Sequence, residues 1–404
     1  MLFTSYNFIA FLIVIFLLYY LVPKKFQWVL LLAGSYFFYA CAGIHFLAYI
    51  FATTVTTWWA AKRMTAIQQE QAAYLKVHKA ELDREQKKAY KAGMKKRTRH
   101  WMLACLLFNL GILAVIKYTD FMISNINSIF HTGFTFMNFA LPMGISFYTF
   151  QSMGYLIDVY RAKYPCQDSL PKFALFVSFF PQLVAGPIVR ARDFIPQIYK
   201  TPVVTRAEFG EGLFLVLCGL FKKTVISDYI SLNFVDRIFD APLLYTGVEN
   251  LLGVYGYALQ IYCDFSGYSD MAIGIALLLG FRFNVNFDSP YQSATITEFW
   301  RRWHISLSSW LKDYLYISLG GNRKGKIRTY INLLITMLLG GLWHGASVSF
   351  ILWGVLHGVA LAVHKFVMNH FSSFKPLGSE MKPWRRVIGV LVTFHLVCFS
   401  WILF

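Results

Sequence analysis

The chain reads as an all-α, polytopic membrane protein, and three observations say so. Of its 404 residues, 57% are hydrophobic and 18% aromatic, while 14% are charged, against about 25% in ordinary soluble domains. The mean hydropathy is +0.49, and no long polar stretch exists to build a soluble domain. Basic residues gather between apolar runs, as the positive-inside rule expects. The net charge of +18 is therefore a topology signal and excludes no membrane function; it is not a nucleic-acid signal.

Taken in order, the apolar spans begin with residues 7–22, followed by Pro23, Lys24 and Lys25. The opening MLFTSYNF has no basic n-region and no small-residue cleavage site after it, so the first helix is expected to be retained. Residues 26–42 and 44–61 are the second and third spans. Residues 62–100 then carry twelve Lys/Arg and four Asp/Glu. That segment lacks proline, and glycine until Gly93, so it is expected to be helical. It is a solvated, topology-setting hairpin or a dock for an acidic carrier protein or a nucleotide-bearing thioester. Both basic segments fall in the cytoplasm if the N-terminus is extracytoplasmic.

Residues 101–116 cross back, an external loop whose one basic residue is Lys117 runs to Gly133, and 134–160, with Pro142 and Gly144, is expected to be bent. In 176–190, Pro181, Gly186 and Pro187 break the apolar run too often for a straight helix. That predicts a re-entrant segment, tolerable only where protein buries it or a cavity lies beside it. Residues 210–221 and 251–281 supply further spans. Within the latter, CDFSGYSD sets Asp264, Ser266, Tyr268 and Asp270 in an apolar context. At membrane depth such groups are paired in an interhelical network or face a cavity, and they are candidate substrate-lining residues. The spans 348–364 and 387–404 close the sequence, for about ten to twelve apolar segments, several of them broken. The six cysteines show no CxxC or metal-ligand spacing, and no metal site is expected.

The stretch 291–346 is the centre of the chain. Ile296, Phe299, Trp300, Trp303, Leu307, Trp310, Leu311 and Tyr314 recur at steps of three and four, which predicts one amphipathic helix along the membrane interface. His304 lies at the edge of its stripe. Residues 330–342 are almost wholly apolar and lead to Gly340, Gly341, His344 and Gly345, small residues that admit a close neighbour. Each histidine follows a tryptophan. Trp303 and Trp343, with Asn322 and Arg323 between them, are candidate substrate-lining residues, and the two histidines are candidate catalytic residues; the plainer alternative is a pair of histidines that bridge helices. The loop GGNRKGK, with Asn322 and Arg323, lacks the GK[ST] of a P-loop. It is a simple turn or a phosphate contact.

The motifs FPQLVAGPIVR, CDFSGYSDMAIG, NFDSPYQS, EFWRRWHISLSSWLKDYLYISLGGNR and GGLWHGA lie within residues 142–358. Through them the sequence resembles the membrane-bound O-acyltransferase family, in particular its bacterial branch of alginate and peptidoglycan O-acetylation. The resemblance implies one family-type membrane domain over 1–404. It also implies a ring of tilted helices around a central tunnel, where an acyl thioester meets a hydroxyl. In it His344 matches the catalytic histidine and His304 the second histidine of the branch. No bound cofactor is implied. The donor would be acetyl-CoA or an acylated carrier, the partner an extracytoplasmic hydrolase-like protein with a serine nucleophile, the acceptor a polysaccharide, and the location the bacterial cell membrane. Members of the branch usually run on beyond the equivalent of Phe404.

The residue chemistry allows a direct transfer. Thioester-to-hydroxyl acyl transfer needs a base and a stabilised oxyanion. Histidine titrates near ambient pH, so His344 is expected to be the base, with His304 orienting the acceptor or assisting the oxyanion. D-alanyl transfer to teichoic acid, a transporter or flippase with a histidine proton relay, and a structural membrane subunit are the alternatives.

Overall fold

The computed structural model describes residues 3–200, 202–371 and 382–404. Helix starts follow the capping chemistry written in the sequence. Ser5 accepts from the backbone of Phe8, and Asp83 with Gln86 and Thr205 with Glu208 form reciprocal capping boxes. Glu208, accepting from the Thr205 backbone and hydroxyl and paired with Arg282, is held down to about 2. Every regular element among the described residues is helical.

Packing divides the chain into two compact units. The first comprises Met1–Val184, Ile188–Val204 and Leu279–Phe281. Its helices are α1 (Tyr6–Leu21), α2 (Gln27–Ala40), α3 (Leu47–Val77), α4 (Arg84–Phe130), α5 (Ile145–Tyr160), α6 (Leu170–Ser178), α7 (Phe180–Leu183) and α8 (Ala191–Ile198). The polarity is inside out. Thr53, Thr54 and Thr57 of α3 and Asn109 of α4 are buried, while Phe51, Leu107 and Phe108 are exposed. Asn109 donates to the Cys105 carbonyl and to Thr56, which satisfies polar groups away from lipid.

The expected basic helical segment is a helical hairpin, α3 and α4 joined by residues 78–83. The loop expected from residue 117 starts only at His131. Nothing between Ile112 and Phe130 breaks a helix, Thr119 and Asn125 fold back onto their i−4 carbonyls, and the left-handed His131 (φ 52°) ends α4. The region 176–190 is broken as its prolines require: α6, α7, an extended run, then α8. The Phe180 N–H donates to Ser35 and the Phe176 carbonyl accepts from Gln151 and Gln182, so the broken backbone lies in protein.

The second unit comprises Ala185–Pro187, Thr205–Leu278 and Arg282–Phe404. It holds α9 (Arg206–Leu220), which runs into π-helical turns Phe221–Asp228 and Ser231–Val235, then α10 (Asp236–Asp240) and α11 (Gly247–Leu278). After a loop follow α12 (Ile296–Arg302), α13 (Ile305–Trp310) with a π-helical turn Leu311–Tyr316, α14 (Lys326–His344), α15 (Val348–His370) and α16 (Pro383–Ser400). Helices α9 and α11 pack backbone to backbone: a Cβ on Gly219 would lie 2.5 Å from the Gly267 carbonyl oxygen. Among the described residues, three helices can cross a membrane by length and composition: Arg84–Phe130, Val348–His370 and the run Pro383–Leu403; Tyr6–Leu21 is a shorter apolar helix.

Candidate active site

The single amphipathic helix expected over 296–314 is not one helix. It breaks at Trp303 and His304, and His304 takes a left-handed conformation (φ 42°, ψ 57°) between α12 and α13. The cause is distant in sequence. Residues 286–288 run alongside the break, where the Asp288 N–H donates to the Arg302 carbonyl and the Ile305 N–H to the Asn286 carbonyl, each at 2.9 Å. A non-glycine residue in this region carries roughly 1–3 kcal/mol of strain, and here the loop holds it.

That conformation turns the imidazole inward. His304 is 1% exposed, with the Phe265 ring edge-on at 4.6 Å and Phe287 at 6.4 Å. Its Nδ1 lies 3.2 Å from Asn286 Oδ1. The same oxygen accepts from the Ser306 backbone N–H at 3.1 Å and the Ser306 hydroxyl at 2.9 Å, while Asn286 Nδ2 donates to Ser269 Oγ at 3.1 Å. His304 Nε2 is buried without a hydrogen-bond partner in the protein.

His344 is the last residue of α14, and Gly345 after it is extended. The end of α14 is set by close packing on α15: a Cβ at Gly341 would collide with the Phe350 carbonyl, and one at Gly354 would lie 2.5 Å from the Met337 carbonyl oxygen. The His344 ring sits among Trp343 at 4.9 Å, Phe404 at 4.8 Å and Trp353 at 5.3 Å. The Trp343 indole also lies 6.1 Å from the His304 ring. One indole thus lies against both imidazoles.

The other residues singled out from the sequence divide three ways. Trp303 is a core residue, packed on Phe287, Phe299 and Trp401. Asp264 and Asp270 are ion-paired, Lys223 to Asp264 at 2.5 Å and Lys222 to Asp270 at 2.6 Å. Lys223 also lies over the Tyr268 ring, and Ser266 is buried. On α11 it is Phe265 and Ser269 that meet the His304 network. Asn322 accepts from Lys365 and Tyr316 beside a cavity of about 530 Å³, and Arg323 is exposed on the loop before α14. The cavity has an apolar floor including Leu333, Met337 and Leu361 and carries Arg301, Lys312 and Lys365, with no carboxylate in its wall among the described residues.

Sequence reasoning missed Asn286, Ser269, Phe265 and Trp353. Asn286 opens the motif NFDSPYQS, and an amide inside an apolar motif is a signal for a buried hydrogen-bond role. His357 also lies in the aromatic core, and its bonding is complete. Trp300 Nε1–H donates to Nδ1, and Nε2–H donates to Ser400, whose own hydroxyl proton goes to the Val397 carbonyl. It joins helices. Among the described residues no group of three or more His, Cys, Asp or Glu is placed to hold a metal ion.

Two imidazoles around one indole, walled by aromatic rings in a helical membrane protein, have the parts for proton transfer to or from a bound group. The model of the membrane-bound O-acyltransferase family matches residues 100–403. The chain belongs to that family, and it is an acyltransferase integral to the membrane. It is 42% identical to a protein of Pseudomonas syringae pv. tomato named "probable alginate O-acetylase", over all of this chain and 72% of the relative. It is 36% identical to a peptidoglycan O-acetyltransferase of Helicobacter pylori, over 93% of this chain and 70% of the relative. A teichoic acid D-alanyltransferase of Bacillus subtilis is 30% identical over 65% of this chain and 68% of the relative.

Proposed function

We propose that this chain carries an acetyl group from a cytoplasmic thioester to a hydroxyl destined for an extracytoplasmic polysaccharide, with His344 and His304 as the working pair. The observation that carries the reading is the pair itself, two imidazoles beside the one indole of Trp343. In this scheme the acceptor oxygen attacks the thioester carbonyl carbon while His344 takes its proton. The tetrahedral intermediate then expels the thiolate, which takes that proton from His344. The position of His344 at the C-terminus of α14 suits the step, because the helix dipole favours a transient imidazolium there, by roughly 0.3–1 kcal/mol when exposed and more when sheltered.

The donor is acetyl-CoA or an acylated carrier. The cations Arg301, Lys312 and Lys365 on a mostly apolar cavity support a ligand that joins phosphate to a narrow chain, as both donors do. The polysaccharide class follows the names of the relatives, alginate or peptidoglycan. An extracytoplasmic hydrolase-like partner with a serine nucleophile completes the route. The proposed site is the bacterial cell membrane, with the N-terminus outside.

The test compares base-labile acetyl ester on surface polysaccharide in cells making the intact chain or His344→Ala at equal amounts, with the partner present. Loss of a general base lowers the rate by about 10²–10⁴, so acetate is expected only with the intact chain. Equal ester from the variant would overturn the assignment of His344. D-alanine in the hydrolysate would move the acyl group to that of the teichoic acid relatives, and no ester from either would favour a proton-coupled transporter.

A further inference from the structure

The bonding around Asn286 fixes where His304 carries its proton. The Ser306 backbone N–H can only donate, so the Asn286 atom facing it is the carbonyl oxygen. The other end of the amide, Nδ2, then donates to Ser269 Oγ. Turning the amide over would set its NH₂ against the Ser306 N–H, donor against donor. His304 Nδ1 faces that same oxygen at 3.2 Å and the Ser306 hydroxyl oxygen, whose proton goes to Asn286 at 2.9 Å, at 3.4 Å, and a bare Nδ1 would set lone pair against lone pair. In the neutral ring Nδ1 therefore holds the hydrogen, and Nε2 presents a lone pair.

That lone pair has no partner in the protein, in a residue 1% exposed. A buried acceptor left unmet is costly, and three features hold it in place: the left-handed backbone at His304, the loop 286–288 and the edge-on Phe265 ring. A carbonyl oxygen or an oxyanion cannot satisfy a lone pair. An O–H or N–H can.

We infer that His304 is a hydrogen-bond acceptor for an O–H or N–H of bound substrate, and that Asn286 is the positioning residue that holds it in that state. Neutral His304 thus orients a substrate and does not stabilise the oxyanion. The inference rests on the transferase reading only for what the substrate is. The two sources of the hydrogen are a hydroxyl of the polysaccharide acceptor and an amide of the pantetheine arm of the donor.

The test is ¹⁵N NMR of the whole chain labelled at histidine, with the His304 signals found by difference against His304→Gln. The expected spectrum has a protonated Nδ1 and a bare Nε2. A protonated Nε2 in the unsubstituted chain overturns the inference without any variant or activity. Asn286→Asp keeps an acceptor facing Nδ1 and should keep the tautomer. Asn286→Leu should mix the tautomers and lower the ester yield about ten- to a hundredfold. Full transfer by a folded Asn286→Leu chain with mixed tautomers would show that the lone pair is not used. Coenzyme A and an alginate oligosaccharide added separately assign the source: the one that moves the Nε2 signal supplies the hydrogen, and saturating binding of both without movement overturns the contact. Because the tautomer is read without turnover, a chain that makes no ester but shows the bare Nε2 refutes the transferase reading alone.

Discussion

At the scale of single residues, His304 is a strained backbone position and a buried functional ring at once, and the two roles separate by substitution. An L-residue in the left-handed region costs about 1–2 kcal/mol that glycine does not incur, whereas glycine loses about 0.5–1 kcal/mol to chain entropy in ordinary positions. His304→Gly and His304→Ala remove the same imidazole and leave nearly the same hole. The glycine variant is therefore expected to be the more stable, by up to about 1 kcal/mol, with neither variant forming ester. Thermal unfolding of the purified variants in one detergent measures the difference, and a more stable alanine variant would mean the φ of 42° is not held in solution. The identity of both histidines was legible in the sequence through their aromatic, membrane-like surroundings. The tautomer was not, because it depends on Asn286, eighteen residues away, whose contact exists only once the loop meets the helix break.

At the scale of elements, local signals read well and non-local ones did not. The helical hairpin of α3 and α4 follows from propensity and an Asp83–Gln86 capping box, and the breaks around Pro181 follow from missing N–H groups. The single helix expected over 296–314 failed because periodicity sees only neighbours; its stripe survives in α12 and α13, but backbone bonds from 286–288 cut it at His304. The carboxylates of CDFSGYSD were left open between a network and a lining. Their lysine partners, on the π-helical turn after α9, support the network. Each pair is about a fifth to two-fifths exposed, so losing one partner should cost about 1–3 kcal/mol, below the 3–5 of a fully buried pair. Asp270→Asn is expected to lower thermal stability while leaving ester formed per folded molecule within about twofold, and Asp270→Asn with Lys222→Met should restore part of the loss. A fully folded Asp270→Asn chain without transfer would place this carboxylate in the chemistry.

At the scale of the whole molecule, composition established the membrane class, and charge placement makes a claim about orientation that is open to measurement. Helix α4 has 47 residues, about 70 Å at 1.5 Å per residue, more than twice a hydrocarbon core of about 30 Å. Its first half holds eight of the hairpin's twelve Lys and Arg and its second half is mostly apolar, so the helix must stand well out of the membrane on the basic side. The positive-inside rule puts that side in the cytoplasm. The turn at Cys41–Gly43, which follows one helix and precedes α3, then lies outside, as does the loop after His131. Cys41 is exposed, whereas Cys105, Cys263 and Cys398 are buried, which makes it a natural reporter. In sealed right-side-out vesicles, a chain keeping Cys41 alone should react with a membrane-impermeant maleimide. A chain whose single cysteine is Lys88→Cys should react only after the vesicles are opened. The reverse pattern would turn the molecule over, placing the basic hairpin and the N-terminus on the opposite sides from those proposed, and with them the direction in which the acyl group travels.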